Sequence, residues 1–303
     1  ARLLIKKVET DGTTPEFTKQ LFLRVPLRLG FDVFRDGRVS DTKAKRMERL
    51  MKAYRQLMKI YDVDRYRACA TSAMRDAANG PKLIENIFKD TGIQIEIIAG
   101  EEEASIVYNN HVEQLEDRNG NYIYVDVGGG STEINLLTNG ELVCSRSYNI
   151  GTIRILNGGV DETAWQRMRT ELTELAAPYE DVHIIGSGGN INKLYRLTGK
   201  KEKKRVLTIE ELRGLYEVLN PLTPEQRMAE YKLKADRADV IVPAAEIFLT
   251  VAAAVRAKDI VVPVIGLCDA LQDRFPRINH LRRTNPSTPT QKGPSDYTSG
   301  WPL

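Results

Sequence analysis

DVGGGSTE, residues Asp126 to Glu133, is the stretch of sequence that decides the fold. Its first two residues end the β-rich run Tyr122 to Val127, which is typical of a buried strand. Three consecutive glycines let the backbone approach a ligand closely and turn N–H groups toward it, which makes a nest for an anion. The sequence therefore predicts a phosphate-binding loop. Its members are Gly128, Gly129, Gly130, Ser131 and Thr132.

Two carboxylates flank this glycine loop. Asp126 stands where the strand ends, so it is placed to hold a hydrated Mg²⁺, which prefers oxygen ligands and substrate phosphates. No Lys follows the glycines, and the loop is therefore neither a Walker A loop nor a GxGxxG turn. A glycine-rich hairpin turn is the structural alternative, but a hairpin rarely needs three glycines and two flanking carboxylates.

A second glycine cluster, GSGGN from Gly186 to Asn190, also follows a predicted strand and leads into a helix. The N–H groups at the start of that helix, near Gly188 and Gly189, are suited to receive a phosphate. Such turns are common in structural roles, so the prediction gains weight only because two glycine loops of this kind can face each other across a cleft.

Two polar segments supply candidate charged groups. Arg75, within ATSAMRDAANG (Ala70 to Gly80), can form a forked hydrogen bond to phosphate oxygens, although a surface pair with Asp76 is the simpler interpretation.

The other segment, GEEEA (Gly100 to Ala104), places three carboxylates at a predicted helix start, where the helix dipole favours them. One of them could instead activate water as a general base. The residues alone do not choose between Glu101, Glu102 and Glu103.

The composition is that of a soluble globular protein, with 303 residues, 42% of them hydrophobic, and a net charge of +3. This charge is too small to demand a nucleic-acid partner. The longest apolar run, Val240 to Val255, contains Pro243 and Glu246, so we expect no membrane span. Three scattered cysteines argue against a disulfide framework or a zinc site. No signal peptide opens the sequence, and the expected location is cytoplasmic.

Short β-rich runs alternate with longer helical ones, which predicts an α/β fold. The predicted strands are 2–8, 21–29, 65–70, 93–98, 122–127, 133–138, 141–147, 182–185 and 260–265. The predicted helices are 41–61, 81–90, 101–115, 162–179, 209–220, 224–231 and 239–257, with a further helix after the second glycine cluster and a last one from Cys268. The polar run DRNGN, Asp117 to Asn121, is the best internal boundary, and the basic run KKEKKR, Lys200 to Arg205, is predicted to be a solvated loop.

Taken in order, ATSAMRDAANG, GEEEA, DVGGGSTE, GSGG and RADVIVPAAEIF (Arg237 to Phe248) resemble the motifs of the exopolyphosphatase and guanosine pentaphosphate phosphohydrolase family, Ppx/GppA. The resemblance runs from Ala1 to about Phe275. It implies the fold of the sugar kinase, heat-shock ATPase and actin superfamily, with two ribonuclease-H-like (actin-like ATPase) domains around a phosphate-binding cleft. The domains expected are 1–118, completed by a C-terminal helix at 268–281, and 119–267, with a loosely held tail at 282–303.

The resemblance also implies roles for individual residues. Glu103, which precedes the Ala of the EEA motif, corresponds to the catalytic glutamate, and Arg75 to the arginine that grips phosphate. Asp126 and Glu133 correspond to the metal-binding carboxylates, and Mg²⁺ or another divalent cation is the implied cofactor. The implied activity is hydrolysis of the terminal phosphoanhydride of inorganic polyphosphate. The partners expected are inorganic polyphosphate and guanosine pentaphosphate or tetraphosphate, with a second copy of the chain as a further candidate, and neither nucleic acid nor a membrane.

The sequence departs from the family pattern at three places. The family opens with DxGSNxxRL, whereas this chain begins Ala1-Arg2-Leu3 and matches only the end of that motif. Because the first residue is not Met, we expect that residues upstream are absent from this sequence. Asn190 stands where the family usually has Thr, and GLCDAL (Gly266 to Leu271) replaces an Arg-Glu-Gly pattern. Two alternatives stay open: a small-molecule phosphotransferase of the same superfamily, and a non-catalytic sensor of polyphosphate or alarmones.

Overall fold

The computed structural model of the protein describes residues 1–9, 16–109, 119–202 and 204–263. Its strands are β1 (Arg2–Glu9), β2 (Glu16–Arg24), β3 (Cys69–Ala70), β4 (Glu96–Ile97), β5 (Asn121–Val127), β6 (Thr132–Thr138), β7 (Glu141–Tyr148), β8 (Val182–Ser187), β9 (Val206–Thr208) and β10 (Asp259–Val261). Its helices are α1 (Gly30–Asp36), α2 (Asp41–Ile60), α3 (Ser72–Asp76), α4 (Gly80–Thr91), α5 (Gly100–Asn109), α6 (Thr152–Leu156), α7 (Glu162–Ala176), α8 (Gly189–Leu197), α9 (Ile209–Leu219), α10 (Pro224–Tyr231), α11 (Ala235–Ala238) and α12 (Ile241–Val255). The prediction of a mixed α/β fold is confirmed.

A six-stranded sheet in the order β7-β6-β5-β8-β10-β9 organises the second part of the chain. β5 pairs in parallel with β8 and antiparallel with β6. β6 and β7 are joined at Asn139 and Gly140, whose φ angles of 52° and 74° are those that a tight hairpin turn requires. Because β5 and β8 run side by side, the glycine loops that follow them leave the sheet at the same edge.

The first part of the chain has an antiparallel hairpin, β1 with β2, and a short parallel pair, β3 with β4. The second predicted strand was placed at 21–29, but β2 ends at Arg24. Pro26, just beyond, has no N–H to donate to a ladder, and the chain turns into α1 instead. The strands predicted at 65–70 and 93–98 are also too long, since β3 and β4 pair over only two residues each.

Two large hydrophobic cores stabilise the described part of the chain, beside a small cluster formed by Ile98 and Ile106. One gathers side chains between Val33 and Ile95, and the other, larger one gathers side chains between Ile123 and Val262. The predicted helix at 41–61 is confirmed as α2: Ser40 accepts a hydrogen bond from the Lys43 N–H, and a stripe of apolar residues is buried. The division of the chain near residue 118 stays a prediction, and the helix at 268–281 and the tail at 282–303 lie outside the described residues.

The stretch Ala235–Val255 is long and apolar enough to cross a membrane by length and composition alone. Two thirds of its most apolar window is, however, buried inside the protein. Ile241, Ile247 and Phe248 have no exposed surface. We therefore interpret α12 as the central helix of the larger core.

Candidate active site

The glycine loop Gly128–Thr132 joins β5 to β6, and the start of α6 holds it from one side. The N–H groups of Thr152 and Ile153 donate to the carbonyls of Gly128 and Gly129 at 3.1 and 2.8 Å. The Arg154 side chain donates from Nε to the Gly130 carbonyl at 2.8 Å. All three glycine carbonyls are thereby turned toward α6.

The N–H groups of the loop are less engaged than its carbonyls. In the described part of the chain, the N–H groups of Gly129 and Gly130 donate to no backbone carbonyl, whereas that of Gly128 closes the loop on the Ser131 carbonyl at 2.9 Å. Gly130 is also closely packed, because a Cβ there would collide with the Phe34 ring and lie 2.5 Å from Ser72 Oγ. The geometry is that of an anion nest built from backbone donors.

The two hydroxyls at the end of the loop have internal partners. Thr132 Oγ1, which is fully buried, donates to the Ile150 carbonyl at 2.6 Å. Burial raises the pKa of Glu133, and a hydrogen bond donated by the Ser131 hydroxyl offsets part of that rise. In this arrangement the phosphate-binding capacity of the loop lies mainly in its backbone.

The two flanking carboxylates face each other across the sheet, because Asp126 of β5 is the register partner of Glu133 of β6. Glu133 is 2% exposed and accepts a hydrogen bond from Ser147 Oγ at 3.1 Å. Burial raises the pKa of both carboxyls, and the charge of Asp126 raises that of Glu133 further. The second glycine loop reaches the same place, since a Cβ on Gly188 would lie 3.0 Å from Asp126 Oδ1.

The structure distinguishes the three glutamates at the start of α5. Glu101 is exposed, and Glu102 forms an ion pair with Arg67 at 2.9 Å. Glu103 is only 8% exposed, and its Oε2 has no hydrogen-bond partner. Burial raises the pKa of Glu103 well above its ordinary value, and the charges of Glu133 and Asp126 raise it further. Glu103 therefore lies beside the two carboxylates of the glycine loop.

Arg75, in α3, lies at the same place. Its Nη1 donates to the Ile98 carbonyl at 2.7 Å. Its charge lowers the pKa of both Glu103 and Glu133, although burial outweighs this effect. The simpler surface pair with Asp76 is absent, because Asp76 pairs instead with Arg154 Nη2 at 2.5 Å.

Sequence reasoning overlooked three arginines around this site. Arg154 links the glycine loop to Asp76. Its guanidinium carbon also lies 4.2 Å from the centre of the Phe34 ring. Arg237 Nη1 donates to Asn190 Oδ1 at 2.6 Å, so the unusual Asn190 positions an arginine beside the second loop. Arg2 lowers the pKa of Asp126. Two of them stand in motifs described above: Arg237 begins RADVIVPAAEIF, and Arg2 matches the end of DxGSNxxRL. No sequence motif marks Arg154.

The donor set fits a hard divalent cation. Asp126 and Glu133 offer carboxylate oxygens, and Mg²⁺ is commonly held by one or two carboxylates together with water and substrate phosphates. Within the described ranges, no three His, Cys, Asp or Glu side chains form a cluster that could hold a metal without such help. The orphaned Oε2 of Glu103 and the raised pKa of all three carboxyls indicate a site that lacks positive charge.

Solved structures share this architecture. An exopolyphosphatase from Cytophaga hutchinsonii superposes with a TM-score of 0.78 at 22% identity, covering 90% of this chain and 93% of that one. The PPX-GPPA enzyme of Aquifex aeolicus superposes with a TM-score of 0.71 at 25% identity, covering 89% and 94%. The fold predicted from the motifs, that of two ribonuclease-H-like domains, is confirmed by these likenesses.

Curated relatives point to the same family. Exopolyphosphatase 2 of Mycobacterium tuberculosis is 33% identical over 134 residues, which is 43% of this chain and 42% of that protein. The guanosine-5'-triphosphate,3'-diphosphate pyrophosphatase of Aeromonas hydrophila is 25% identical over 206 residues, 63% of this chain and 41% of that protein. The chain thus spans about two fifths of the length of each. The sequence profile of the Ppx/GppA phosphatase family matches residues 21–269, and the chain belongs to that family.

Proposed function

We propose that the protein releases orthophosphate by hydrolysing the terminal phosphoanhydride of inorganic polyphosphate, and that of guanosine pentaphosphate. The observation that carries the proposal is the position of Glu103, a buried carboxylate without a hydrogen-bond donor on Oε2, beside an anion nest and two further carboxylates. Relatives named for polyphosphate and for the guanosine nucleotide support both substrates.

In this proposal some residues bind phosphate and one accepts a proton. The N–H groups of Gly129 and Gly130, with those at Gly188 and Gly189, bind the oxygens of the terminal phosphate. Arg75 adds a charge-assisted hydrogen bond from the guanidinium group. Glu103 orients the attacking water and accepts its proton, a role that requires the carboxylate form. Phosphoryl transfer needs little covalent help, so positioning and electrostatics suffice.

A divalent cation fits the same proposal. Asp126 and Glu133 would hold Mg²⁺, and the ion would supply the positive charge that neutralises phosphate oxygens in the transition state. Burial and mutual repulsion disfavour the charged form of these two neighbouring carboxylates, and a bound cation would offset that cost, which supports this assignment.

The two alternatives make different demands on the site. A phosphotransferase needs a bound acceptor in place of water, and a sensor needs no general base. A carboxylate such as Glu103 is costly to bury without a partner, which favours a catalytic role over either a passive binding site or a structural one. The cytoplasmic location and a homodimer stay predictions.

The test is phosphate release from polyphosphate and guanosine pentaphosphate, measured side by side with and without Mg²⁺ and with no acceptor present. We expect release from at least one substrate that depends on the cation and is lost in Glu103→Gln. Release only on addition of an acceptor would indicate a phosphotransferase, and tight binding without any release would indicate a sensor.

A further inference from the structure

The exposed face of α2 carries an excess of positive charge. This helix contains seven Lys or Arg residues against two Asp or Glu, a net charge of +5, whereas the whole chain has a net charge of only +3. The opposite face packs into the smaller core through Met47, Met51, Tyr54 and Met58. The helix is therefore anchored on one side and strongly basic on the other.

Most of these cations have no ion-pair partner in the described part of the chain. Lys43 pairs with Asp32, and Lys52 pairs with Asp90 at 2.8 Å. Among the residues that the structure describes, the other five cations of the helix form no ion pair. They are Lys45, Arg46, Arg49, Arg55 and Lys59. Such a concentration of unpaired charge raises the free energy of the folded chain, and a bound polyanion would relieve it.

Two surface cavities lie along this face. One, of about 410 Å³, is lined by Arg46 and Arg49 together with the segment Val25–Leu27. The other, of about 290 Å³, is lined by Lys52, Arg55 and Lys59 on α2, and by Asp90 and Thr91 at the end of α4. From Arg46 to Lys59 the helix extends about 20 Å, since an α-helix rises ~1.5 Å per residue. The cations thus cover a strip of exposed surface along the helix, with a cavity on each flank of the strip.

The start of this line is connected to the glycine loop. Lys43, in the first turn of α2, holds Asp32 of α1. Phe34, in the same short helix, packs closely against Gly130. One short helix therefore separates the basic face from the phosphate nest, and the face leads away from it.

We propose that the basic face of α2 is a subsite for the distal part of a polyphosphate chain whose terminal phosphate occupies the glycine loop. The inference rests on the proposed function. A linear polyanion with a charge on every unit matches a line of unpaired cations. A single-stranded nucleic acid would also be attracted, but it gains affinity by stacking bases on aromatic side chains. The only aromatic residue of α2, Tyr54, is buried, and so we favour polyphosphate.

The test compares direct binding of long-chain inorganic polyphosphate, tripolyphosphate and a single-stranded oligonucleotide of matched charge. The variant replaces Arg46, Arg49, Arg55 and Lys59 together by Gln, which keeps helix propensity. The matched control replaces four exposed cations from the part of the chain that builds the larger core by Gln, namely Arg167, Arg196, Lys201 and Arg213, so that the loss of net charge is equal.

We expect the α2 variant to bind long polyphosphate at least about tenfold more weakly, with a shallower dependence of log Kd on log salt, because fewer counterions are released. Its Kd and kcat for tripolyphosphate should match wild type, and the control should keep the long-chain affinity. Equal affinity of wild type and α2 variant for long polyphosphate would overturn the subsite, even where phosphate release confirms the activity. A loss confined to the oligonucleotide would overturn it in favour of a nucleic-acid site. If the wild-type protein binds long polyphosphate through α2 but releases no phosphate, the subsite is supported and the proposed hydrolase activity is wrong.

Discussion

Replacing Glu103 by Gln should make the protein more stable and nearly inactive. Among the described residues none donates a hydrogen bond to Glu103 Oε2, and Glu133 and Asp126 repel its charge. A Gln amide removes the charge and can donate to those carboxylates. Leaving a buried polar group unsatisfied costs about 1–3 kcal/mol, more when it is charged, so we expect a gain of about 2 kcal/mol. In a chain of 303 residues, with an unfolding entropy of about 2.1 cal/mol/K per residue, that corresponds to a rise in Tm of roughly 3 °C.

The sign of the pH dependence follows from the same burial. A carboxyl whose pKa is raised on folding binds more protons in the folded than in the unfolded state. The stability associated with Glu103 is therefore present below its ordinary pKa of 4.5 and is lost as the pH rises through the raised value. The gain from Glu103→Gln should thus be absent near pH 4 and fully developed at alkaline pH.

The assay is thermal unfolding in EDTA across this pH range, together with phosphate release in Mg²⁺. Turnover should fall by roughly 10²–10⁴-fold, the usual contribution of a positioned general base. Glu102→Gln is the matched control: it breaks an exposed ion pair with Arg67, worth ~0–1 kcal/mol, and should leave turnover nearly unchanged. A lower Tm for Glu103→Gln at pH 8, or a near-normal kcat, would refute the reasoning.

Three further predictions concern the same site. Arg75→Ala should raise KM more than Arg75→Lys, with a loss of about 1.5–3 kcal/mol in substrate binding, and an unchanged polyphosphate affinity would show that the residue does not touch substrate. Gly151→Ala should impair phosphate binding, because the new Cβ would lie 2.5 Å from the backbone nitrogens of Gly130 and Ser131 in the glycine loop. Gly214→Ala is the control: nothing lies within 4 Å of the new Cβ, so binding should not change. Calorimetric titration with orthophosphate compares the two variants. Burial and neighbouring negative charge raise the pKa of Glu103, so the acidic limb of the pH profile of kcat/KM should lie above pH 4.5. That limb should move to lower pH as the Mg²⁺ concentration is increased. An acidic limb at or below pH 4.5 would exclude Glu103 as the general base.

The sequence was most informative where function depends on consecutive residues. The strand, glycine loop and strand of residues 121–138 were predicted within a residue or so, because a short apolar run and three glycines leave few conformations open. The choice among the three glutamates of α5 could not be made from the residues, since the helix dipole favours all of them equally. What separates Glu103 is how α5 packs on the sheet, where Asn135 donates to the Ala104 carbonyl at 2.9 Å.

Short helices and contacts between distant residues could not be predicted, because both depend on tertiary packing. Helices of four to seven residues, such as α1, α3, α6 and α11, are too short to show a helical period, and tertiary contacts hold them in place. Arg154 bonds to Asp76, 78 positions away in the chain, and no local pattern marks such a pair. The resemblance to a family supplied the residue assignments that periodicity could not.

The engagement of the three glycine carbonyls by α6 has a consequence for selectivity. A loop that is already held in its binding conformation does not lose backbone entropy of ~1–2 kcal/mol per residue when an anion arrives. That advantage is the same for a substrate phosphate and for the orthophosphate released from it. Under the proposed hydrolysis we therefore expect orthophosphate to inhibit as a product, and we expect preference for the substrate to come from contacts with the rest of the substrate, beyond its terminal phosphate.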